Sequence, residues 1–293
     1  MRIVVTGTNG QVALAMAERG AEAGVEIVLV GRPQLDLARP ETVLPALTAA
    51  KGDVVVNAAA YTAVDQAESD AATAFAINAT GAGAVAEAAR MLGVPLLHLS
   101  TDYVFDGALD RPYREDDVTG PMGVYGASKL AGEAAVLAAG GAVAVFRTAW
   151  VYSPFGRNFV KTMISLAASR SEVSVVSDQL GRPTSALDIA DTLIAAAARM
   201  ARTPNDARLS GIFHMAGAED ASWCELAQGV FDALATQGRA RCTAIPIPSS
   251  NYPTPARRPA NSRLDGAKLS AVFGLTLPGW RASLPQIVAR LAG

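Results

Sequence analysis

Short runs of β-branched and other apolar residues alternate with alanine-rich stretches of helical spacing along the first two thirds of the chain. The runs fall at residues 3–6, 26–30, 53–58, 95–100, 142–147, 173–176 and 211–215. Strands separated by helices pair in parallel, and right-handed crossovers set those helices on both faces of the sheet. The pattern predicts an α/β fold with a doubly wound parallel sheet. After about residue 216 it changes to one helix over 222–237, a proline-studded stretch over 245–259 and two short helical pieces. Prolines remove backbone donors and disfavour helix in the residues before them, so that stretch should be extended. A smaller C-terminal domain, 216–293, is expected to follow a larger one, 1–215, with 149–158 and 177–184 contributing to the cleft between them.

Two segments carry chemistry. The first run leads into Thr6-Gly7-Thr8-Asn9-Gly10-Gln11-Val12-Ala13 and then into helix. A glycine-rich bend between a buried strand and a helix lets the backbone approach a pyrophosphate on the positive helix N-terminus. Gly7, Gly10, Gln11 and Val12 are therefore placed at a dinucleotide, and 1–215 reads as a Rossmann domain. Ala13 stands where many such turns carry a third glycine, and its methyl is small enough for close helix packing. In the second segment, Tyr125 and Lys129 lie four residues apart and share one helix face. A nearby ammonium should favour the phenolate and pull the tyrosine pKa down. The first and fourth runs are expected side by side, which would bring Thr101, at the end of the fourth, beside the cofactor. Thr101, Tyr125 and Lys129 then form a hydride-transfer apparatus.

Cofactor choice is read from the end of the second run, where Arg32 stands in place of the acidic residue that would grip the adenosine ribose of NAD. A guanidinium there suits the 2′-phosphate of NADP, so NADPH is expected over NADH, whereas a merely solvated Arg32 would leave both usable. Asp36 and Leu37 should flank the adenine. Farther on, Arg257, Arg258 and Arg263 lie beside Asn261 and Tyr252 in the proline-stiffened stretch, a grouping suited to a phosphorylated ligand, with Arg257 and Arg263 expected to reach it.

Composition narrows the class of protein. The 293 residues are 51% hydrophobic, enough for a sizeable core, and the net charge of −2 without a basic stripe gives nucleic acid no purchase. The apolar stretches 82–94 and 189–200 are broken by Glu87, Arg90, Asp191 and Arg199, which fits buried helices and no membrane partner. Strand residues follow Met1 directly, without a secretory leader, so a cytoplasmic location is expected. Cys224 and Cys242 lack C-x-x-C spacing, and His98 and His214 lie inside apolar runs, so no metal site is read from them.

Together these segments resemble the extended short-chain dehydrogenase/reductases and, more narrowly, the dTDP-4-dehydrorhamnose reductases. The matching runs are GTNGQV at 7–12, VNAAAYTAVDQAE at 56–68, INA at 77–79, STDYVFDG at 100–107 and VYGASKLAGE at 124–133. More specific ones continue with RTAWVY at 147–152, NF at 158–159, DQLGRPT at 178–184 and YPTPARRPANSRL at 252–264. The resemblance implies a reductase acting on the 4-keto group of a dTDP-linked 6-deoxy-L-sugar. Tyr125 would donate the proton, Lys129 would hold the nicotinamide ribose, and Thr101 would meet the sugar carbonyl. It adds Ala59, Ala60 and Tyr61 to the cofactor wall. Asp102, Tyr103, Trp150 and Asn158 join Thr101, Arg257, Asn261 and Arg263 at the nucleotide sugar. Asn57, Asp65 and Asn78 would orient loops. Some members bridge a homodimer through Mg²⁺ with an acidic residue where this chain has Ala15; Glu18 lies one turn on, and the exchange puts the metal bridge in doubt. Another nucleotide-sugar 4-ketoreductase, or a non-catalytic subunit like the methionine adenosyltransferase β-subunit, are the alternatives.

Overall fold

The computed structural model describes residues 1–239 and 241–292. Five strands, β1 (Arg2–Thr6), β2 (Glu26–Val30), β3 (Val54–Asn57), β4 (Leu96–Thr101) and β5 (Val143–Thr148), join the strand Gly211–His214 in one parallel sheet. Its order runs from Gly211–His214 through β5, β4, β3 and β1 to β2. Both faces are apolar because neighbouring residues of one strand serve different cores. Ile3, Val5, Val54 and Val56 pack with helix α1 (Gln11–Glu22) and the helix Ala186–Arg202. Val4, Val55, Val143 and Val145 pack with the helices Val43–Ala50, Ala82–Leu92 and Val124–Ala138.

Two sequence expectations need correction. The strand ending at Thr101 does not lie beside β1, because β3 stands between them. Beyond β2 the chain makes turns and a short 3-10 helix, Pro40–Thr42, instead of another strand, so the sheet changes winding direction between β1 and β3. The run at 173–176 is also outside the main sheet. As Glu172–Val176 it pairs in parallel with Thr243–Ile247, which draws the start of the proline-studded stretch into a two-stranded ribbon. Pro246 is tolerated there because a ribbon edge does not need its missing donor.

The helix expected at 222–237 is Trp223–Thr236. A capping box starts it: the Ser222 hydroxyl accepts from the Glu225 N–H (3.1 Å) and the Ser222 N–H donates to the Glu225 carboxylate (2.7 Å). Phe231 and Leu234 of this helix share one core with Trp280, Leu284 and Ile287 of the C-terminal helix Trp280–Ala292, and that core continues to Phe146 under the sheet.

A π-helical turn, Ala76–Gly81, precedes the helix Ala82–Leu92 and carries the buried Asn78. Its side chain accepts from the Tyr61 N–H (2.8 Å) and donates to the Tyr61 carbonyl (3.0 Å) and the Ser128 hydroxyl (2.9 Å). One amide therefore ties the loop after β3 to the helix Val124–Ala138. Gly132 permits this approach, since a Cβ there would come within 2.0 Å of the Asn78 carbonyl oxygen. Gly132→Ala should destabilise the protein by roughly 1–3 kcal/mol in urea unfolding, although alanine is the better helix former. An unchanged or raised unfolding midpoint would show that the two elements are free to separate.

Candidate active site

Parallel strands open their C-terminal ends on one side, and the loops there enclose a cavity of about 1550 Å³. Gly7 forms its floor with a φ of +93°, a left-handed geometry natural to glycine, and its Cα faces Ala59. Gly10, Gln11 and Val12 open α1 along one wall, and Ala59, Ala60 and Tyr61 form the opposite wall after β3. Beneath them, the Thr6 hydroxyl donates to Asn57 (2.6 Å) and accepts from the Ala59 N–H (3.1 Å), while Asn57 meets His98 at 3.0 Å. This buried chain fixes the ends of β1, β3 and β4 against each other. His98 is held well below its usual pKa by burial and by the Lys129 charge, so its imidazole is neutral. Arg32 and Asp36 stand at the far end of the cavity with Leu37. The Asp36 carboxylate is turned onto its own loop, accepting from the Ala38 N–H at 3.0 Å.

At the other end Thr101, Tyr125 and Lys129 line the same cavity. The Lys129 ammonium is buried and donates to the Leu99 carbonyl at 2.6 Å. Burial lowers its pKa to about 8, against the opposing pull of Glu133. The tyrosine departs from the sequence expectation. Burial pushes the Tyr125 phenol up to about 12, its hydrogen bond with Thr101 offsets only part of this, and the Asp102 carboxylate adds to it. The phenol therefore keeps its proton at neutral pH and can give it away. Asp102 is itself raised to about 6 by burial, with Thr101 and Ser262 opposing the shift. The Thr101 hydroxyl donates to it at 2.9 Å.

Aromatic residues close this end. Tyr103 meets the Tyr125 ring edge-on at 5.6 Å. Trp150 has a φ of +47°, a strained value for a bulky residue, and lies flat on Trp223 with centroids 3.5 Å apart. Asn158 caps the helix Phe159–Ala167 and donates to Gln11 at 3.0 Å, bracing the loop after β5 against the dinucleotide turn.

Three expected residues do not reach the cavity. Arg257 is exposed. Asn261 donates to the Leu109 and Arg111 carbonyls, both at 2.8 Å, and Arg263 pairs with Asp220. Asn261 therefore binds the C-terminal stretch to the loop after β4, and Arg263 does so as well by donating to the Asp110 carbonyl. Arg258 occupies the place foreseen for its neighbour: it lines the cavity, pairs with Asp65 at 2.8 Å and lies 6.0 Å from the Tyr103 ring. Its Nη1 is buried without a partner. Adjacent arginines in an extended chain point to different sides, and no spacing in the sequence says which faces inward. Trp223, the first residue of the helix Trp223–Thr236, also lines the cavity, and no motif in the sequence singles it out. On the metal question, Ala15 is packed in the core and Glu18 is engaged by Arg290. Among the described residues no group of three or more His, Cys, Asp or Glu could hold a metal ion, and no helix is long and apolar enough to cross a membrane.

Known proteins share both the sequence and this architecture. The family model described as the RmlD substrate binding domain matches residues 1–292. The dTDP-4-dehydrorhamnose reductase of Sinorhizobium fredii is 50% identical over 288 residues, covering 98% of this chain and 97% of that protein. Its counterpart in Burkholderia thailandensis is 47% identical over 99% of both chains. Among solved structures, the dTDP-4-dehydrorhamnose reductase of Bacillus anthracis in complex with NADP superposes with a TM-score of 0.89 at 32% identity, with 98% of each chain covered. A Rossmann-type sheet, a cleft at its strand ends and full-length similarity to these reductases lead to one assignment: the chain belongs to the RmlD substrate binding domain family, that of the dTDP-4-dehydrorhamnose reductases.

Proposed function

We propose that this enzyme reduces the 4-keto group of a dTDP-4-dehydro-6-deoxy-L-sugar, taking dTDP-4-dehydro-L-rhamnose to dTDP-L-rhamnose. The observation that carries the reading is the meeting of Thr101, Tyr125 and Lys129 at the sugar end of a cavity whose other end has the shape of a dinucleotide site. A nicotinamide cofactor bound along Gly7 to Leu37 would supply the hydride. Tyr125 would protonate the alkoxide, and a phenol held at about 12 is fully loaded for that task. Lys129, fixed on the Leu99 carbonyl, would hold the nicotinamide ribose and keep a positive charge beside the phenolate that forms. Thr101 would fix the carbonyl or the phenol oxygen.

Trp150, Tyr103 and Trp223 suit the apolar face of a 6-deoxysugar, and the unpartnered nitrogen of Arg258 suits an oxygen of its diphosphate. At the cofactor end, Arg32 on the rim and the inward turn of the Asp36 carboxylate support NADPH over NADH. A cytoplasmic site of action fits a soluble nucleotide sugar.

Removal of one hydroxyl tests the chemistry. Tyr125→Phe should lower kcat by about 10²- to 10⁴-fold with cofactor affinity nearly intact. Turnover within a few-fold of the parent would take Tyr125 out of its role.

Substrate recognition is tested by the two neighbouring arginines. Arg258→Ala should raise KM for the nucleotide sugar by about ten- to a hundredfold, the worth of one charge-assisted hydrogen bond, while Arg257→Ala stays within about twofold. The reverse order would return Arg257 to the site.

For the cofactor, the ratio of kcat/KM for NADPH over NADH should fall by about tenfold in Arg32→Ala. A ratio equal to that of the parent would show that this guanidinium does not read the 2′-phosphate.

A further inference from the structure

Tyr125 and Lys129 belong to a longer stripe, because Glu133 continues it by one more turn of the same helix. The stripe faces three consecutive residues at the end of β4. Thr101 shares the cavity wall with Tyr125, the Leu99 carbonyl accepts from Lys129, and between them the Ser100 hydroxyl donates to Glu133 at 2.5 Å. Glu133 is only 1% exposed, and so is Arg147 of β5, which grips it with two hydrogen bonds at 2.9 and 2.7 Å. Ser100 and Arg147 are register partners across β4 and β5, so the carboxylate fastens the helix to two strands at once. The Arg147 guanidinium in turn lies 5.0 Å from the Phe105 ring, on the loop that follows Thr101.

A buried ion pair of this kind is a poor investment if stability alone is at stake, since desolvation of both charges cancels much of their attraction. Its position suggests another use. We propose that Glu133, held by Arg147, is a positioning residue for the reduction: it sets the height of the helix on β4, so that Tyr125 meets Thr101, and it keeps Lys129 charged. The inference rests on the reading of Tyr125 and Lys129 given above.

Lys129 is surrounded by few groups able to set its charge. Glu133 and Tyr125 face it along its own helix, and His98 of β4, which is neutral, lies nearby. Arg147 of β5 lies beyond Glu133 and is neutralised by it. Glu133 is thus the one anion of this group, and its removal would leave two cations buried together. The ammonium would then lose its proton at lower pH. By contrast, loss of the Ser100 hydroxyl would leave the charges in place and loosen only the helix-to-strand contact.

The experiment measures kcat, KM and cofactor affinity from about pH 6 to about pH 9 for the parent, Glu133→Gln, Ser100→Ala and Tyr125→Phe. In Glu133→Gln the alkaline limb of kcat should move to lower pH by about one unit, so that its deficit is far larger at the alkaline end than at the acid end. In Ser100→Ala the limb should stay in place while kcat falls by about tenfold and KM changes little. An unmoved limb, or an equal loss at every pH, would overturn the charge role of Glu133. A kcat within twofold of the parent in Ser100→Ala would overturn the positioning role, and this variant decides alone if Glu133→Gln does not fold. Parent-like activity in Tyr125→Phe would instead bring down the reading of the site itself. An inactive Tyr125→Phe beside parent-like Glu133 and Ser100 variants would bring down this inference only.

Discussion

The seating of the helix Val124–Ala138 on the end of β4 is the constraint on which the site depends. A strand that ends at Thr101 delivers a hydroxyl, and a helix that crosses it delivers a phenol and an ammonium, but neither element knows the height of the other. Polar contacts set that height. Lys129 binds the Leu99 carbonyl, Ser100 binds Glu133, and the Glu68 carboxylate accepts the Val124 N–H at 2.9 Å where the helix begins. Asn78 reaches the same helix through Ser128. Because these partners other than the exposed Glu68 are buried or half-buried, breaking one would expose an unmet polar group to an apolar interior, which makes the seating specific.

Burial then decides the chemistry of the groups so placed. In water a phenol and an ammonium would differ little in pKa, and the neighbouring charge would dominate. Inside this cleft desolvation disfavours the charged form of both, raising Tyr125 to about 12 and lowering Lys129 to about 8. The tyrosine therefore keeps its proton at neutral pH, and the lysine loses its charge more readily than it would in water. A single physical effect, acting on opposite charge types, therefore suits the pair to reduction near neutral pH.

The cleft is also built from both parts of the chain. Arg258 comes from the C-terminal stretch and is held by Asp65, which follows β3, while the Ala256 N–H donates to the same carboxylate at 3.1 Å. Trp223 starts a helix that shares its core with the sheet, yet its ring lies on Trp150 from the loop after β5. The lining of the cleft thus depends on contacts that close over a scaffold already fixed by the buried strands.

Sequence alone determined the elements and much of the site. Alternating apolar runs gave the doubly wound sheet because a strand covered on both faces must be apolar throughout, and the glycine-rich bend from β1 into α1 was legible because its geometry is local. Tyr125 and Lys129 were legible for the same reason, since their spacing is a property of one helix. What the sequence misjudged was relational. The neighbour of β1, the pairing of Glu172–Val176 with Thr243–Ile247 and the choice of Arg258 over Arg257 each depend on which segments meet in space. The direction of the Tyr125 shift was misread too, because adjacency to a lysine is visible in a sequence and desolvation is not. Local periodicity fixes where a residue lies on its own element; only tertiary packing fixes what it faces and how much water remains around it.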